Sequence, residues 1–206
     1  MTRAYWLDLF TVETWQEFLA HGGDVSGFKP SRHANVERIK PGDYLLCYLT
    51  KVSKWSGILE VTREAFYDEE RIWSSGVFPW RVRVRVVIAV PPEYGIPVLE
   101  MRDALTVFRN LPNPSKWQGP FLGSPTRWKA ADGEAVMRAL EVAALQAERD
   151  RSSAPGSPRG GSGPRDLTDS RNVQSRRALG NVLGQSACDP SEASPAGAWR
   201  QVATSV

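Results

Sequence analysis

Two apolar runs, Tyr44–Leu49 and Trp80–Val90, set the rhythm of the chain. In the second, Trp80, Val82, Val84 and Val86 alternate with Arg81, Arg83 and Arg85. That two-residue period predicts a strand over 78–90 with one apolar and one cationic face, ended by Pro91-Pro92. Residues 43–50 and 56–61 predict two more strands, joined by a polar connection containing Lys51 and Lys54, and residues 4–10 predict a first strand. Helical signals fall between them. Thr14 is followed three residues on by Glu17, a capping-box pattern, and Trp15, Phe18 and Leu19 share one helical face before Gly22-Gly23. Residues 31–38 predict a short second helix ahead of the turn Lys40-Pro41-Gly42-Asp43. Further on, the pattern predicts a short helix over 100–108 and a short strand near Phe121. A last helix follows, capped by Asp132, with Val136, Leu140 and Ala143 or Ala144 on one stripe. Strands separated by short helices, without a regular βαβ alternation, predict an α+β domain around a small curved sheet or barrel.

The composition divides near residue 150. Residues 1–150 hold 7 of the 8 tryptophans and every tyrosine and phenylalanine, whereas 151–206 is mostly Ser, Pro, Gly, Ala and Arg. Such a segment buries too little apolar surface to offset about 1–2 kcal/mol of backbone entropy per ordered residue. The expected organisation is therefore one domain over 1–150 and a disordered tail over 151–206. The tail is either an arginine-bearing arm that adds nonspecific nucleic-acid affinity or GC-rich sequence read past a native end. It also carries the whole net charge of +3, with seven Arg against four acidic residues, which leaves 19 basic and 19 acidic groups in the domain. A phosphate-binding surface on the domain must then come from local placement of cations. Cys47 lies inside an apolar run and Cys188 in the tail, and the two histidines have no metal-ligand spacing. No metal, cofactor or disulfide framework is expected, and no apolar run approaches the ~20 residues that span a bilayer. A soluble, cytoplasmic protein is the expectation.

Strand-end tryptophans are the first candidate chemistry. Lys54-Trp55-Ser56-Gly57 follows one apolar run, and Ile72-Trp73-Ser74-Ser75-Gly76 precedes the other. Both offer flat faces for a planar ligand, with a nucleobase the leading candidate, since base stacking on an aromatic ring is worth about 1–3 kcal/mol. Trp6 and Trp80 fall in strand interiors and are expected in the core. Arg81, Arg83 and Arg85 recur about 6–7 Å apart along their strand, a spacing that suits successive phosphates or, equally, a solvated face paired with nearby carboxylates. Arg109-Asn110 and Arg32-His33 are further phosphate or base-edge candidates.

An ordered series of segments adds a resemblance. It runs Tyr5-Trp6-Leu7, Ser26-Gly27-Phe28, Ile39-Lys40-Pro41-Gly42-Asp43, Gly57-Ile58-Leu59-Glu60-Val61-Thr62, Ile72-Trp73, Phe78-Pro79-Trp80-Arg81-Val82 and Gly123-Ser124-Pro125 ahead of Asp132-Gly133. The series, over residues 4–146, resembles the EVE domain of the PUA-like superfamily, related to YTH and ASCH domains. The resemblance implies a pseudo-barrel of five to six mostly antiparallel strands flanked by short helices, with a pocket at one end for a base turned out of its strand. It implies a cage tryptophan at Trp73, a pocket wall at Ser26, Gly27 and Phe28, and an approach to the nucleic-acid backbone at Ser124. EVE domains of bacteria are associated with modified cytosines in DNA. One departure is visible: many EVE domains follow Tyr-Trp-Leu with a Lys-Ser pair, whereas this chain continues Asp8-Leu9-Phe10-Thr11, so any polar contact from that corner must differ.

No Ser/His/Asp arrangement, phosphate loop or metal cluster is visible in the sequence. A related branch of the superfamily contains amidohydrolases that act on acylated cytidine through a lysine, a threonine and a glutamate. Lys54, Thr62 and Glu60 are the corresponding residue types here, although Glu60 and Thr62 belong to the strand motif itself. The expectation is a non-enzymatic reader of a modified base, most simply a modified cytosine in DNA and otherwise a base in RNA, with a nuclease encoded nearby as a possible partner. A small amidohydrolase and a small-molecule or protein-interaction module on the same barrel are the alternatives.

Overall fold

The computed structural model describes residues 3–109, 111 and 113–153. In chain order come β1 (Tyr5–Phe10), α1 (Val12–Ala20), β2 (Val25–Phe28), α2 (His33–Val36), β3 (Tyr44–Leu49) and β4 (Lys54–Val61). They continue with the two-residue β5 (Phe66–Tyr67), β6 (Trp80–Ala89), the two-residue β7 (Ile96–Pro97), β8 (Thr126–Trp128) and α3 (Ala130–Ser153). The sheet runs β2-β6-β4-β3-β1-β8, with β5 added to β6 and β7 to β4. The β1–β3 pair is parallel and the others are antiparallel. This is the expected α+β architecture, a curled half-barrel sheet with few short helices.

The curl follows from side chains that meet across the sheet. β2 and β1 are separated by three strands along the ladder, yet Ser26 Oγ lies 2.6 Å from Asp8 Oδ2. Alternation within β1 sends Trp6, Asp8 and Phe10 inward and Tyr5 and Leu7 outward. The inner core joins Trp6 and Phe10 to Phe28, Leu45, Cys47, Leu49, Leu59, Val82 and Val84, and Trp15 and Phe18 of α1 cover its end. The outer core packs Tyr5, Leu7, Leu46, Tyr48, Trp55 and Ile58 under Val136 and Leu140 of α3. β3 lies between the two layers, so all six of its residues are buried and it reads as a continuous apolar run.

Several boundaries differ from the sequence reading. The first helix is capped by Thr11, whose hydroxyl accepts from Thr14 N while Thr14 Oγ1 accepts from Thr11 N. Its box closes with threonine, so Glu17 is free to accept from Ser74 N. Trp15 and Phe18 are buried as expected, but Leu19 is exposed. The helix expected over 100–108 is two 3₁₀ turns, Val98–Met101 and Thr106–Phe108. The strand expected near Phe121 is also a 3₁₀ turn, and the pairing strand comes later, at β8. Asp132 sits inside the first turn of α3 and accepts from Thr106 N at 2.6 Å and Thr106 Oγ1 at 2.8 Å. In β6 the alternation fails after Val84, because the β4–β6 register shifts between Ile58 and Leu59 and leaves Val86 and Val87 exposed. α3 continues to Ser153, so residues 151–153 of the expected disordered tail are helical, and the rest of that tail, 154–206, lies outside the described residues.

At Gly133 the backbone of α3 lies directly against Tyr5 of β1. A Cβ there would stand 2.2 Å from Cγ and Cδ1 of Tyr5 and 2.8 Å from its Cβ. In an exposed helix, glycine to alanine gains about 1 kcal/mol. Here overpacking, typically about 1–3 kcal/mol, dominates. Gly133→Ala therefore lowers the melting temperature; an unchanged or raised value by thermal denaturation would show that α3 does not pack as described.

Candidate nucleic-acid pocket

A hollow of about 200 Å³ opens where the end of β2 meets the segment ahead of β8. Leu9, Gly27, Phe28, Phe78 and Leu122 give it an apolar wall, with Lys29, Arg32 and Ser124 as polar members. The volume lies below the about 300–1,000 Å³ of pockets that take drug-sized molecules, so it suits a single ring system. Neither Lys29 nor Arg32 has a carboxylate within salt-bridge distance among the described residues. Leu122, 74 % exposed, stands at the mouth.

Of the expected site residues, Gly27, Phe28, Arg32 and Ser124 line this hollow together. Trp73 does not. Its indole is 2 % exposed and lies one layer behind the wall, where a Cβ on Gly27 would come within 2.6 Å of Cζ3. It meets Phe78 edge-on, ring centroids 5.3 Å apart. Phe28 is itself 3 % exposed and packs in the inner core, so the ring with open surface at the hollow is Phe78, with Trp73 behind it. Glycine at 27 makes that layering possible, because any side chain there would collide with the indole.

Trp55 is a core residue: it packs against Tyr48, Phe121 and Trp128 in the outer layer, far along β4 from any role as a pocket wall. Ser26 sits beneath the wall with its hydroxyl on Asp8. Arg81 is 1 % exposed and serves the scaffold. Its guanidinium pairs with Asp68 at 2.6 Å, donates to Phe78 O at 3.1 Å and reaches Glu70 O, so it pins the loop that delivers Phe78. Arg83 pairs with Asp24 at 2.7 Å and Arg85 with Glu60 at 2.5 Å. The arginine row of β6 is thus neutralised strand by strand, the carboxylate-paired alternative of the sequence reading. Arg109 belongs to a separate depression with Arg102, Asp103 and Phe108. Asn110 lies outside the described residues.

The lysine, threonine and glutamate of the amidohydrolase alternative do not converge. Lys54 and Glu60 stand at opposite ends of β4, about 20 Å apart at a strand's rise per residue. Lys54 Nζ is tied to Pro92 O and Glu93 O, and Glu60 to Arg85. Among the described residues no group of His, Cys, Asp and Glu could hold a metal ion.

Asp8 is the group that sequence reasoning missed. It is buried inside the barrel, accepting from Ser26 at 2.6 Å and approached by Ser124 Oγ at 3.4 Å. Burial pushes its carboxyl up to about 7, against the opposing pull of the Ser26 and Ser124 hydroxyls and the Leu9 amide. Ser124 also accepts from Leu9 N and donates toward Leu7 O. Asp8 therefore fixes, through two serines, the strand and the segment that form the hollow. The departure from the Lys-Ser pair of EVE domains marked this corner in the sequence; nothing there gave the carboxylate its partners. Burial also pushes the Cys47 thiol well up, with Asp8 adding to the effect.

No family model matches the chain. UPF0310 proteins of Pyrococcus abyssi and Pyrococcus horikoshii are 27 % and 26 % identical to it over 137 and 138 residues, which is 60 % of this chain and 89 % and 88 % of theirs. Among solved structures, the Mmi1 YTH domain superposes with a TM-score of 0.51 at 12 % identity, covering 70 % of this chain and 78 % of that one. A complex of that domain with RNA gives 0.50 at 13 % identity, over 70 % and 81 % of the two chains. The YTH domain of a Zygosaccharomyces rouxii protein, in complex with N6-methyladenosine RNA, gives 0.50 at 11 % identity, over 68 % and 87 %. At these identities the likeness is one of fold.

Asp8 carries a pH signature. Between the ordinary carboxylate range and about pH 7 the folded protein keeps a proton that the unfolded chain has released. Its contribution to stability is therefore present at acidic pH and lost as pH rises toward 7. Asp8→Asn, isosteric and uncharged, removes that loss. Chemical denaturation at pH 4.5 and pH 8 should show the variant gaining on the parent at pH 8, by on the order of a few kcal/mol at most. Equal differences at the two pH values would mean that Asp8 is not held protonated.

Proposed function

We propose that the domain is a non-enzymatic nucleic-acid reader whose hollow takes a modified base from a single strand or one flipped out of a duplex. The observation that carries this reading is the hollow itself: an apolar wall of Phe78 and Leu9 over the buried Phe28, sized for one ring system, with Lys29 and Arg32 beside it, neither within salt-bridge distance of a carboxylate among the described residues. Flat apolar walls stack any base, and a methyl group buried against them adds about 0.8 kcal/mol. Cations beside the opening attract the phosphates that flank an extruded base, and each contributes to a salt-dependent affinity. Unstacking a base costs a few kcal/mol, which stacking on the wall and phosphate contacts together offset. The YTH fold, found elsewhere in complexes with RNA, one carrying N6-methyladenosine, supports a modified-base role in general. The order of EVE-like motifs favours a modified cytosine in DNA as the ligand; a nuclease encoded beside this gene would place the reader in defence.

Fluorescence titration with oligonucleotides containing cytosine, 5-methylcytosine, 5-hydroxymethylcytosine or N6-methyladenine, as DNA and as RNA, tests this directly. One modified oligonucleotide should bind best, and Phe78→Ala should weaken it roughly 5- to 150-fold, the equivalent of one stacked base. Arg32→Ala should reduce the slope of log affinity against log salt by about 0.7 to 0.9. No preference among the oligonucleotides, with binding indifferent to salt, would favour a small-molecule or protein-interaction module. Turnover of an acylated cytidine would make the protein an enzyme.

A further inference from the structure

A second concavity, about 380 Å³, is lined by Arg3, Arg38, Lys40 and Arg127 together with Ala4, Trp6, Pro41, Gly42 and Asp43. Four cations meet there in a domain whose basic and acidic residues are equal in number, 19 of each. The one carboxylate in the lining is buried and engaged by the scaffold: Asp43 accepts from Ala4 N at 3.0 Å, Trp6 Nε1 at 2.9 Å and Lys40 N at 3.0 Å. Lys40 is shared with Glu64 at 3.0 Å, an exposed pair that contributes little. Arg3 lies over the Tyr44 ring and donates to Gly42 O. Arg38 and Arg127 are exposed and have no carboxylate within salt-bridge distance among the described residues.

Two chain segments contribute to both the basin and the hollow. One side is the segment 29–42, which carries Lys29 and Arg32 at the pocket and Arg38 and Lys40 at the basin, with Glu37 as its single acidic residue. The other is 121–129, without any acidic residue, which carries Leu122 and Ser124 at the pocket and Arg127 at the basin. Asn35 Nδ2 donates to Pro125 O at 3.1 Å and locks the two sides midway. Arg127 lies three residues after Ser124, at most about 10 Å along the chain, and the short helix His33–Val36 with the turn after it separates Arg32 from Arg38. Both routes place the basin a short run of nucleotides from the hollow.

We infer that the Arg3–Arg38–Lys40–Arg127 basin binds the phosphodiester backbone of the strand whose base occupies the pocket, and so sets the direction in which that strand leaves it. The inference rests on the reader assignment for the identity of the strand, but its test separates the two. Two exposed guanidiniums are removed in Arg38→Ala/Arg127→Ala, and Arg102→Ala/Arg149→Ala removes the same charge elsewhere. With a single-stranded oligonucleotide carrying the preferred base, the basin variant should lower the salt slope by about 1.4, two single-strand phosphate contacts, while the control variant leaves it in place. The modified nucleoside alone, which has no phosphate to offer the basin, should bind both variants as it binds the parent. If no modified base is preferred but oligonucleotide affinity still falls in the basin variant alone, the reader assignment fails and the basin stands. If the basin variant keeps the parent's salt slope, the basin is not a backbone site. Inorganic phosphate forms the last arm: stabilisation of the parent by phosphate, lost in the basin variant with no change toward oligonucleotides, would reassign the basin to a free anion.

Discussion

The carboxyl group of Asp8 is turned into the barrel between Trp6 and Phe10, a position where the strand pattern calls for an apolar side chain. It is tolerated because Ser26 comes from β2 on one side and Ser124 from the segment ahead of β8 on the other. A buried polar group costs most when it is left unpaired. Asp8 therefore makes the curled arrangement, in which both partners are within reach, the one that satisfies it. Along the ladder β2 and β1 are separated by β6-β4-β3, and across the interior the Asp8–Ser26 contact adds a directional link to the apolar packing of Phe28 against the core of Trp6 and Phe10. The hollow is a by-product of this closure: its floor lies over the point where β2, β1 and the β8 segment are held together.

A second constraint acts at the opposite wall. Arg81 is a fully buried guanidinium whose donors all go to the loop 68–78. A charge in that position is stable only if its geometry is met, so the loop that presents Phe78 and Trp73 is specified by one strand residue. Glu17 of α1 receives Ser74 N from the same loop. The wall is thus tied to the sheet and to the first helix, and it is preorganised before any ligand arrives.

Much of this was legible from residue patterns, and the reasons for the rest are local. The central strands were readable because β3 is covered on both sides and β6 alternates cleanly up to Val84. The first helix was misplaced by three residues because threonine at 14 closes a box that glutamate usually closes. A tryptophan in a Ser/Gly loop, as at Trp73, looks uncovered in one dimension and so suggests an exposed stacking face. Its cover comes from Gly27 and Phe78, and an indole laid on a glycine leaves no periodic signal. The row Arg81-Arg83-Arg85 was equally suited to phosphates and to carboxylates, and the difference lies in where Asp68, Asp24 and Glu60 happen to fall in space. The basin around Arg38 and Arg127 escaped notice because its members are scattered over 3, 38, 40 and 127, and each alone is an ordinary surface cation.

The indole behind Gly27 has a bearing on how such a cavity can diverge. Since Trp73 fills the second layer, the depth of the recess is governed by a residue that an occupant need never touch. Exchanging that ring for a smaller one would let the thin glycine strand settle backward and admit a bulkier substituent, with every contacting atom chemically unchanged. Selectivity among related guests would then be tuned from behind the surface that greets them.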